Sequence, residues 1–342
     1  MKPAGKKQRA PDSFRRERQG GERECARGGA DGPAPPRILI IGEINPDLIL
    51  QGYHAFPTAG KEVLVDDFVM TLGSASAICA MGLARLGDPV SFVGKVGDDP
   101  WGAFCVDAMT AAGIDMSRVI RDPALKTGVT VSITSPRDRA LVSFIGAIGA
   151  LRAADVADAA FGGARHVHVS SYFLQEGLRP GVRSLFARAR AAGLTTSLDP
   201  GFDPSERWEK DLRETLAEVD LFFPNEVELR GITRTDAVPD ALRVLAGGRM
   251  RTVAKLGAQG AATLTDDGRI LQAPSFSMEA VDTTGAGDSF NAGFLHAWLA
   301  GRPLEESLRW GVACGSLSTR GLGGTARQPT AEEAERLVRR PA

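Results

Sequence analysis

The stretch Val281-Asp-Thr-Thr-Gly-Ala-Gly-Asp-Ser-Phe-Asn-Ala-Gly293 concentrates residues that could do chemistry. Three small residues, Gly285, Ala286 and Gly287, lead into an apolar helical pattern through Phe290, Phe294 and Trp298. Small residues let backbone N–H groups converge at a helix N-terminus, where the dipole also favours an anion. Such a turn can hold a phosphoryl group and the charge that develops as it transfers. Asp288 falls on the first helical turn, where a carboxylate could take the proton of an attacking hydroxyl. Taken alone, a helix cap would be the commoner reading of Asp288, with the glycines making a tight turn. The whole string is more specific than either.

Three other segments offer groups for the same chemistry. In Pro224-Asn-Glu-Val-Glu228, Asn225 and Glu228 supply oxygens suited to a hard ion such as Mg²⁺, directly or through water; a helix start with a capping Asn reads the same way. In Lys255-Leu-Gly-Ala-Gln-Gly260, Gly257 and Gly260 permit close approach of a nucleotide, as they would permit a plain β-turn. Asp199 opens Asp199-Pro-Gly-Phe-Asp203 just after an apolar run. Ligands of parallel sheets bind beyond the carboxyl ends of strands, which makes Asp199 a candidate near the phosphates; Asp before Pro is also ordinary turn chemistry.

Positioning these groups requires a regular frame, and the chain supplies one. Arg37-Ile-Leu-Ile-Ile-Gly42 and Val90-Ser-Phe-Val93 are short apolar runs of buried-strand type. Further strand-like runs are His166–Val169, Thr195–Leu198, Leu221–Phe223 and Thr252–Leu256, with helical patterns such as Val182–Ala192 and Leu212–Val219 between them. A helix starts at Pro100, capped by Asp98 or Asp99, with Trp101, Phe104, Cys105, Ala108, Met109 and Ala112 on one face and Gly113 at its end. Short apolar strands alternating with helices predict a mostly parallel sheet covered on both faces. Residues 47–71 and 127–146 break this rhythm with alternating strands, including a hairpin from Thr130 to Ala140. They predict a small β lid over one end of the core.

Bulk properties narrow the function. The 342 residues are 43% hydrophobic and 24% charged, with a net charge of −1, which gives no electrostatic case for nucleic acid or an anionic membrane. Cys25, Cys79, Cys105 and Cys314 are widely spaced, against a disulfide scaffold or zinc site. His166 and His168 share a strand face, where two packed imidazoles explain them better than a metal. No apolar run reaches the roughly 18 residues of a membrane span, and the N-terminus lacks the apolar core of a signal peptide, so the expected location is cytoplasmic. Residues 1–36 carry nine Lys/Arg against five Asp/Glu and almost nothing large and apolar; they are expected to be a disordered extension.

The string Asp282-Thr-Thr-Gly-Ala-Gly-Asp288 resembles the C-terminal signature of the ribokinase/PfkB carbohydrate kinases. The resemblance spans residues 37–330, leaving 331–342 as a C-terminal helix or tail. It implies an α/β, Rossmann-like three-layer ribokinase fold with a β lid, ATP with Mg²⁺ as donor, and transfer to a hydroxyl of a sugar or nucleoside. Asp288 is then the base and the 285–287 amides an anion hole, while Asp282 and Thr284 resemble residues that help hold an activating monovalent cation such as K⁺. On the nucleotide side it implies Asn225, Lys255, Gly257, Gly260 and Gly311. Gly42-Glu-Ile-Asn-Pro-Asp47 resembles the family's first-strand motif, with Asp47 binding acceptor hydroxyls, and Gly73 and Ser74 stand where a Gly-Gly pair contacts the sugar. Gly94–Gly102 also matches, mainly as a fold-determining turn. Ile78 departs from the pattern, which has Asn there, and puts the usual sugar contacts in doubt.

Other kinase and nucleotide motifs fail. Gly-Lys at 5–6, 60–61 and 94–95 is followed by Lys, Glu and Val, so no P-loop exists, and no early strand leads into G-x-G-x-x-G. The rival from another class is a non-catalytic sugar or nucleotide sensor; nucleosides and sugar phosphates are the alternative acceptors. Arg137 and Arg139 on the lid could serve a phosphate, though arginines at a lid tip are more often simply solvated. Exposed lid strands suggest a homodimer through the lid.

Overall fold

The computed structural model describes residues 37–53, 55–134, 139–208 and 210–340, and the side chains of these except Thr134 and Arg139. The expected disorder of residues 1–36 lies outside them, as do Cys25 and His54.

In chain order the strands are β1 (Arg37–Ile41), β2 (Pro46–Gln51), β3 (Asp67–Leu72), β4 (Val90–Val93), β5 (Lys95–Gly97), β6 (Ile120–Asp122), β7 (Val129–Thr134) and β8 (Arg139–Phe144). They continue as β9 (Ala164–Val169), β10 (Thr195–Leu198), β11 (Leu221–Phe222), β12 (Arg251–Lys255), β13 (Ala261–Leu264) and β14 (Ile270–Ala273). The helices are α1 (Ala75–Arg85), α2 (Pro100–Ala111), α3 (Val182–Ala191), α4 (Lys210–Leu216), α5 (Glu226–Thr233), α6 (Val238–Val244), α7 (Ala286–Leu299), α8 (Leu304–Ser318) and α9 (Ala331–Val338).

An eight-stranded sheet in the order β14-β13-β12-β11-β10-β9-β1-β4 forms the middle layer. Its strands from β4 to β12 are parallel, and β13 and β14 are antiparallel additions at one edge. The continuous apolar run of β1 follows from burial on both faces. Ile38 and Ile40 join the core formed with α1, α7 and α8, whereas Leu39 and Ile41 join the core formed with α3 and α4. That alternation is the period of two of an extended chain acting between two helical layers.

A four-stranded sheet in the order β3-β2-β7-β8 is the lid, with β2 and β7 parallel and the outer pairs antiparallel. The expected hairpin is β7–β8. The expected helix from Pro100 is α2, and Asp99 rather than Asp98 caps it, accepting from the Gly102 N–H at 2.8 Å. The Asp99 carboxylate also accepts from the N–H and hydroxyl of Thr127, both at 2.8 Å, which fixes the entry into β7. The helix placed at Leu212–Val219 runs instead from Lys210 to Leu216.

The chain leaves β1 in one direction toward β4 and later fills β9 through β12 on the other side. A crevice opens at the carboxyl ends of strands where such an order reverses. Gly42, Ser170, Asp199, Asn225 and Lys255 all lie at that end.

His166 and His168 are buried in β9 and hydrogen-bonded through Ser197: His166 meets Thr195 and Ser197 at 2.8 and 2.7 Å, and His168 meets Ser197 and Ser170 at 2.7 and 2.8 Å. Burial lowers both imidazole pKa values, to about 4 for His168, so they are neutral packing groups. Cys79, Cys105 and Cys314 are buried thiols. No helix among the described residues is long and apolar enough to cross a membrane.

Candidate active site

The Gly-Ala-Gly turn is built where α7 meets the crevice. Gly285 is the N-cap of α7 at φ 70°, a left-handed conformation that favours glycine. A Cβ there would stand 2.7 Å from the Gly324 Cα and 3.0 Å from the Ile78 Cγ2, so the position is closed to larger residues. Ala286 and Gly287 are already helical. The Ala286 N–H donates to the Thr283 carbonyl at 3.2 Å. The Gly287 and Asp288 N–H groups belong to a first turn with no preceding helical carbonyls to bond, which leaves them to an anion.

Asp288 is half-buried beside them. Burial first, then the negative charges of Asp199, Glu43 and Glu228 against the opposing Lys255, push its carboxyl up to about 7. A carboxylate with that proton affinity suits a general base near neutral pH. The Lys255 ammonium lies 3.4 Å from where a Gly287 Cβ would stand, at the edge of the anion turn, and is 2.5 Å from an Asp199 oxygen. Asn225 is the N-cap of α5, and its side chain and backbone exchange three hydrogen bonds with Glu228 at 2.7, 2.8 and 2.9 Å. The capping explanation is therefore right; both Glu228 oxygens accept from Asn225, and the buried carboxylate is held rigid behind the cleft lining. Burial and Asp199 raise the Glu228 carboxyl to about 7.

Two cavities meet on opposite sides of this turn. One, of about 360 Å³, takes in Lys255, Gly257, Gly260, Ala286, Gly287 and an apolar wall of Phe276, Met278, Phe290 and Val312. Gly260 sits at φ 88° against the Ala273 carbonyl, where a side chain would collide. The other, of about 220 Å³, takes in Gly285, Asp288, Glu43, Asn45, Asp47 and Ser74, with the lid residues Thr130, Ser132, Leu141 and Ser143 as its roof. The shared turn thus separates two clefts, of which the second carries most of the hydroxyl and carboxyl groups, set among apolar side chains such as Ile49, Ile78, Ile148 and Leu174.

The polar cavity has a braced floor. Glu43 is buried; its carboxylate accepts from the Ser76 hydroxyl at 2.6 Å and the Ser76 N–H at 3.2 Å, and burial raises its pKa. Asn45 donates to Asp47 at 3.2 Å. Ser74 adopts φ 74°, a conformation rare for a residue with a Cβ, and its hydroxyl donates to the Glu43 carbonyl at 2.5 Å. Ile78 is buried in α1 and lines the cavity.

The profile of the pfkB family carbohydrate kinases matches residues 35–331. The chain belongs to that family. An ATP-dependent ribose-1-phosphate kinase of Halopiger xanaduensis is 33% identical over 86% of this chain and 96% of its own. The ribokinase of Bacillus subtilis is 28% identical over 88% of this chain and 99% of its own. Among solved structures, an Arabidopsis thaliana ribokinase with ribose and ATP superposes with a TM-score of 0.78 at 24% identity, covering 90% of this chain and 100% of that one. At 22–24% identity such likeness speaks for the fold, which is the ribokinase fold.

In this pfkB-family kinase, Asp47, Ser74, Gly285 and Asp288 come together around the polar cavity, and Lys255, Gly257, Gly260, Ala286 and Gly287 around the apolar one. Gly73 lies behind Asp47, and Asp199 behind Lys255. Gly311 is not on the cleft wall; it lets α8 pack against the Phe290 ring, 2.7 Å from its would-be Cβ. Asp282 accepts from the Thr284 N–H and hydroxyl at 2.9 and 2.7 Å and from the Gly323 N–H at 2.8 Å, bracing the loop before the turn. Sequence reasoning did not single out Glu43, Asn45 and Ser171, which line the polar cavity, or Asn291, whose amide donates to Asp199. Glu43 and Asn45 belong to the Gly42–Asp47 motif and Asn291 to the Val281–Gly293 string, but residue type and spacing alone gave none of them a role.

Proposed function

We propose that the chain transfers the γ-phosphoryl group of ATP to a hydroxyl of a sugar-like small molecule, directly and without a phospho-enzyme. The observation that carries this reading is the shared turn: one cavity on each side of Gly285–Asp288, with a carboxylate of pKa about 7 facing the polar one. Asp288 takes the proton of the acceptor hydroxyl as it attacks. The 285–287 turn and Lys255 stabilise the charge on the transferring group. Closure of the lid over the acceptor excludes water, the competing nucleophile.

Asn225 and Glu228 fit an ion that brings its own waters and phosphate oxygens, since the Glu228 carboxylate is buried, charged at alkaline pH and fixed by its cap. Among the described residues no cluster of three or more His, Cys, Asp or Glu is set to hold a metal by itself. When bound, Mg²⁺ supplies neutralising charge on the phosphate oxygens. A monovalent cation such as K⁺ at the Asp282–Thr284 loop and a cytoplasmic site of action are parts of the same proposal.

For the acceptor, a neutral polyhydroxy compound is favoured over a sugar phosphate. The described lining of the polar cavity holds the carboxyl groups of Glu43, Asp47 and Asp288 and no Lys or Arg, which repels a phosphate. Arg137 and the Arg139 side chain lie outside what the structure describes. The ribose-1-phosphate kinase relative keeps a phosphorylated acceptor as the second reading.

The lid supports a dimer. Residues of β2, β7 and β8 alternate, with Asp47, Ile49, Thr130, Ser132, Leu141 and Ser143 facing the cavity. The opposite face presents Phe68, Met70, Val142 and Phe144 exposed, an apolar surface that a second copy would cover.

The test is ADP release with ATP and Mg²⁺ across sugars, sugar acids, sugar phosphates and nucleosides, with Asp288→Asn as control. An acceptor-dependent signal lost in the variant is expected. Nucleotide binding with no turnover on any acceptor would favour a sensor.

A further inference from the structure

Asn291 lies three residues beyond Asp288 on α7, fully buried among apolar side chains. An unpaired amide there is unfavourable, so its presence calls for a partner. Its Nδ2 donates to an Asp199 oxygen at 2.6 Å, and the same oxygen accepts from the Lys255 ammonium at 2.5 Å. The other Asp199 oxygen accepts from the Gly201 N–H at 3.1 Å. Because a carboxylate only accepts, the amide nitrogen must face it. The Asn291 Oδ1 is left buried without a hydrogen-bond partner, a cost that an apolar residue would not carry.

We propose that Asn291, acting through Asp199, is a positioning residue for phosphoryl transfer: together they seat the Lys255 ammonium at the lip of the anion turn. The proposal rests on the kinase reading above. Lys255 ends β12 with its side chain only 12% exposed, inside the nucleotide cleft and bordering Gly287. An ammonium so enclosed needs a fixed counter-ion. Asp199 supplies it from behind, and the remaining two ammonium hydrogens are directed elsewhere, as a phosphoryl oxygen beside Gly287 requires. Lys255 therefore need not leave Asp199 when the nucleotide arrives. The pair is firmly ionised. Burial opposes both charges, but Lys255 and the Asn291 bond hold Asp199 below the carboxylate range, and Asp199, Glu228 and Asp288 hold Lys255 above its own.

A second consequence concerns the base. The charged and titratable groups facing Asp288 are Glu43 after β1, Cys79 on α1, Asp199 after β10, Glu228 on α5 and Lys255 on β12. Of the charges, Asp199 acts most strongly to raise its proton affinity, and Lys255 opposes. Neutralising Asp199 moves the proton loss of Asp288 to lower pH, which a purely structural role would not do.

The experiment compares wild type, Asn291→Leu and Asp199→Asn in three readouts: steady-state kinetics across pH, thermal melting, and calorimetric binding of ADP and of a non-hydrolysable ATP analogue. Folded variants should lose about 10- to 100-fold in kcat, with the acceptor KM within about threefold of wild type, since a displaced charged group costs the transfer and not acceptor binding. The acid limb of Asp199→Asn should move to lower pH. Both variants should lose more affinity for the ATP analogue than for ADP. If Asn291→Leu fails to fold, Asp199→Asn carries the test, because it keeps the side-chain shape while removing the charge and turning one acceptor oxygen into a donor. A folded variant that keeps wild-type kcat, pH limb and nucleotide discrimination overturns the proposal. Absence of turnover in wild type would sink the kinase reading separately, and the ratio of analogue to ADP affinity would still decide the seat of Lys255.

Discussion

An Asp47 carboxylate oxygen lies 2.0 Å from the point that a Cβ on Gly73 would occupy. Gly73 directly follows β3, with its N–H on the Asn45 carbonyl at 2.9 Å, and the absence of a side chain there is what lets the Asp47 carboxylate lie over that backbone. Gly73→Ala must push Asp47 aside. We expect the acceptor KM to rise about tenfold or more, in line with a misplaced hydrogen-bonding group, while the KM for ATP stays put. Steady-state kinetics with each substrate varied in turn will check this.

Asp288→Asn should abolish turnover, with a fall of at least about a thousandfold, and leave the fold intact. It should also stabilise the protein above neutrality. The Asp288 carboxyl is raised from 3.8 to about 7 in the folded state, so as pH rises from 4 to 7 the unfolded chain ionises first and wild-type stability falls. Asparagine removes that loss. Urea unfolding at pH 8 should show the variant more stable by about 1–3 kcal/mol, discounted for the carboxyl's opening to the cleft, and the difference should vanish near pH 4.

The rate of the wild-type protein should carry an acid limb. In kcat/KM the limb reports the free enzyme, and the raised Asp288 places it near pH 7, with activity rising as the proton leaves. A pH profile that stays flat from 5.5 to 8.5 would contradict Asp288 as base.

Ile78 fills the space between α1, Gly285 and Gly324, with side-chain atoms 3.0 and 2.3 Å from the would-be Cβ atoms of those glycines. Ile78→Ala opens a cavity directly under the anion turn. A stability loss of about 2–4 kcal/mol is expected by thermal or urea unfolding, together with a reduced kcat as Gly285 relaxes.

The outer lid face gives a test of assembly. Val142→Ser with Phe144→Ser should convert a dimer to a monomer by sedimentation or light scattering, since both side chains are more than half exposed on that face and neither lines the acceptor cavity. A wild-type protein that is already monomeric at micromolar concentration would remove the dimer.

Much of this protein could be read from residue order. The apolar run of β1, the turn residues after each strand and the small-residue string before Asp288 are local signals, because periodicity and backbone freedom are properties of neighbouring residues. They sufficed for the layered α/β frame, the lid and the Gly-Ala-Gly turn at the start of α7. Asn225 and Glu228 were equally legible, since an N-cap and its third residue interact within one turn.

Tertiary structure decided the rest. Asp199 and Lys255 are 56 positions apart and Asn291 is 92 from Asp199, so no local pattern could say that they share one oxygen. Gly311 looked like a nucleotide contact and serves as a packing notch for Phe290, because which face of α8 meets α7 depends on helix packing rather than on sequence spacing. The proton affinity of Asp288 is likewise collective. Burial and four charges from separate elements set it, and they become neighbours only when the sheet brings its strand ends together.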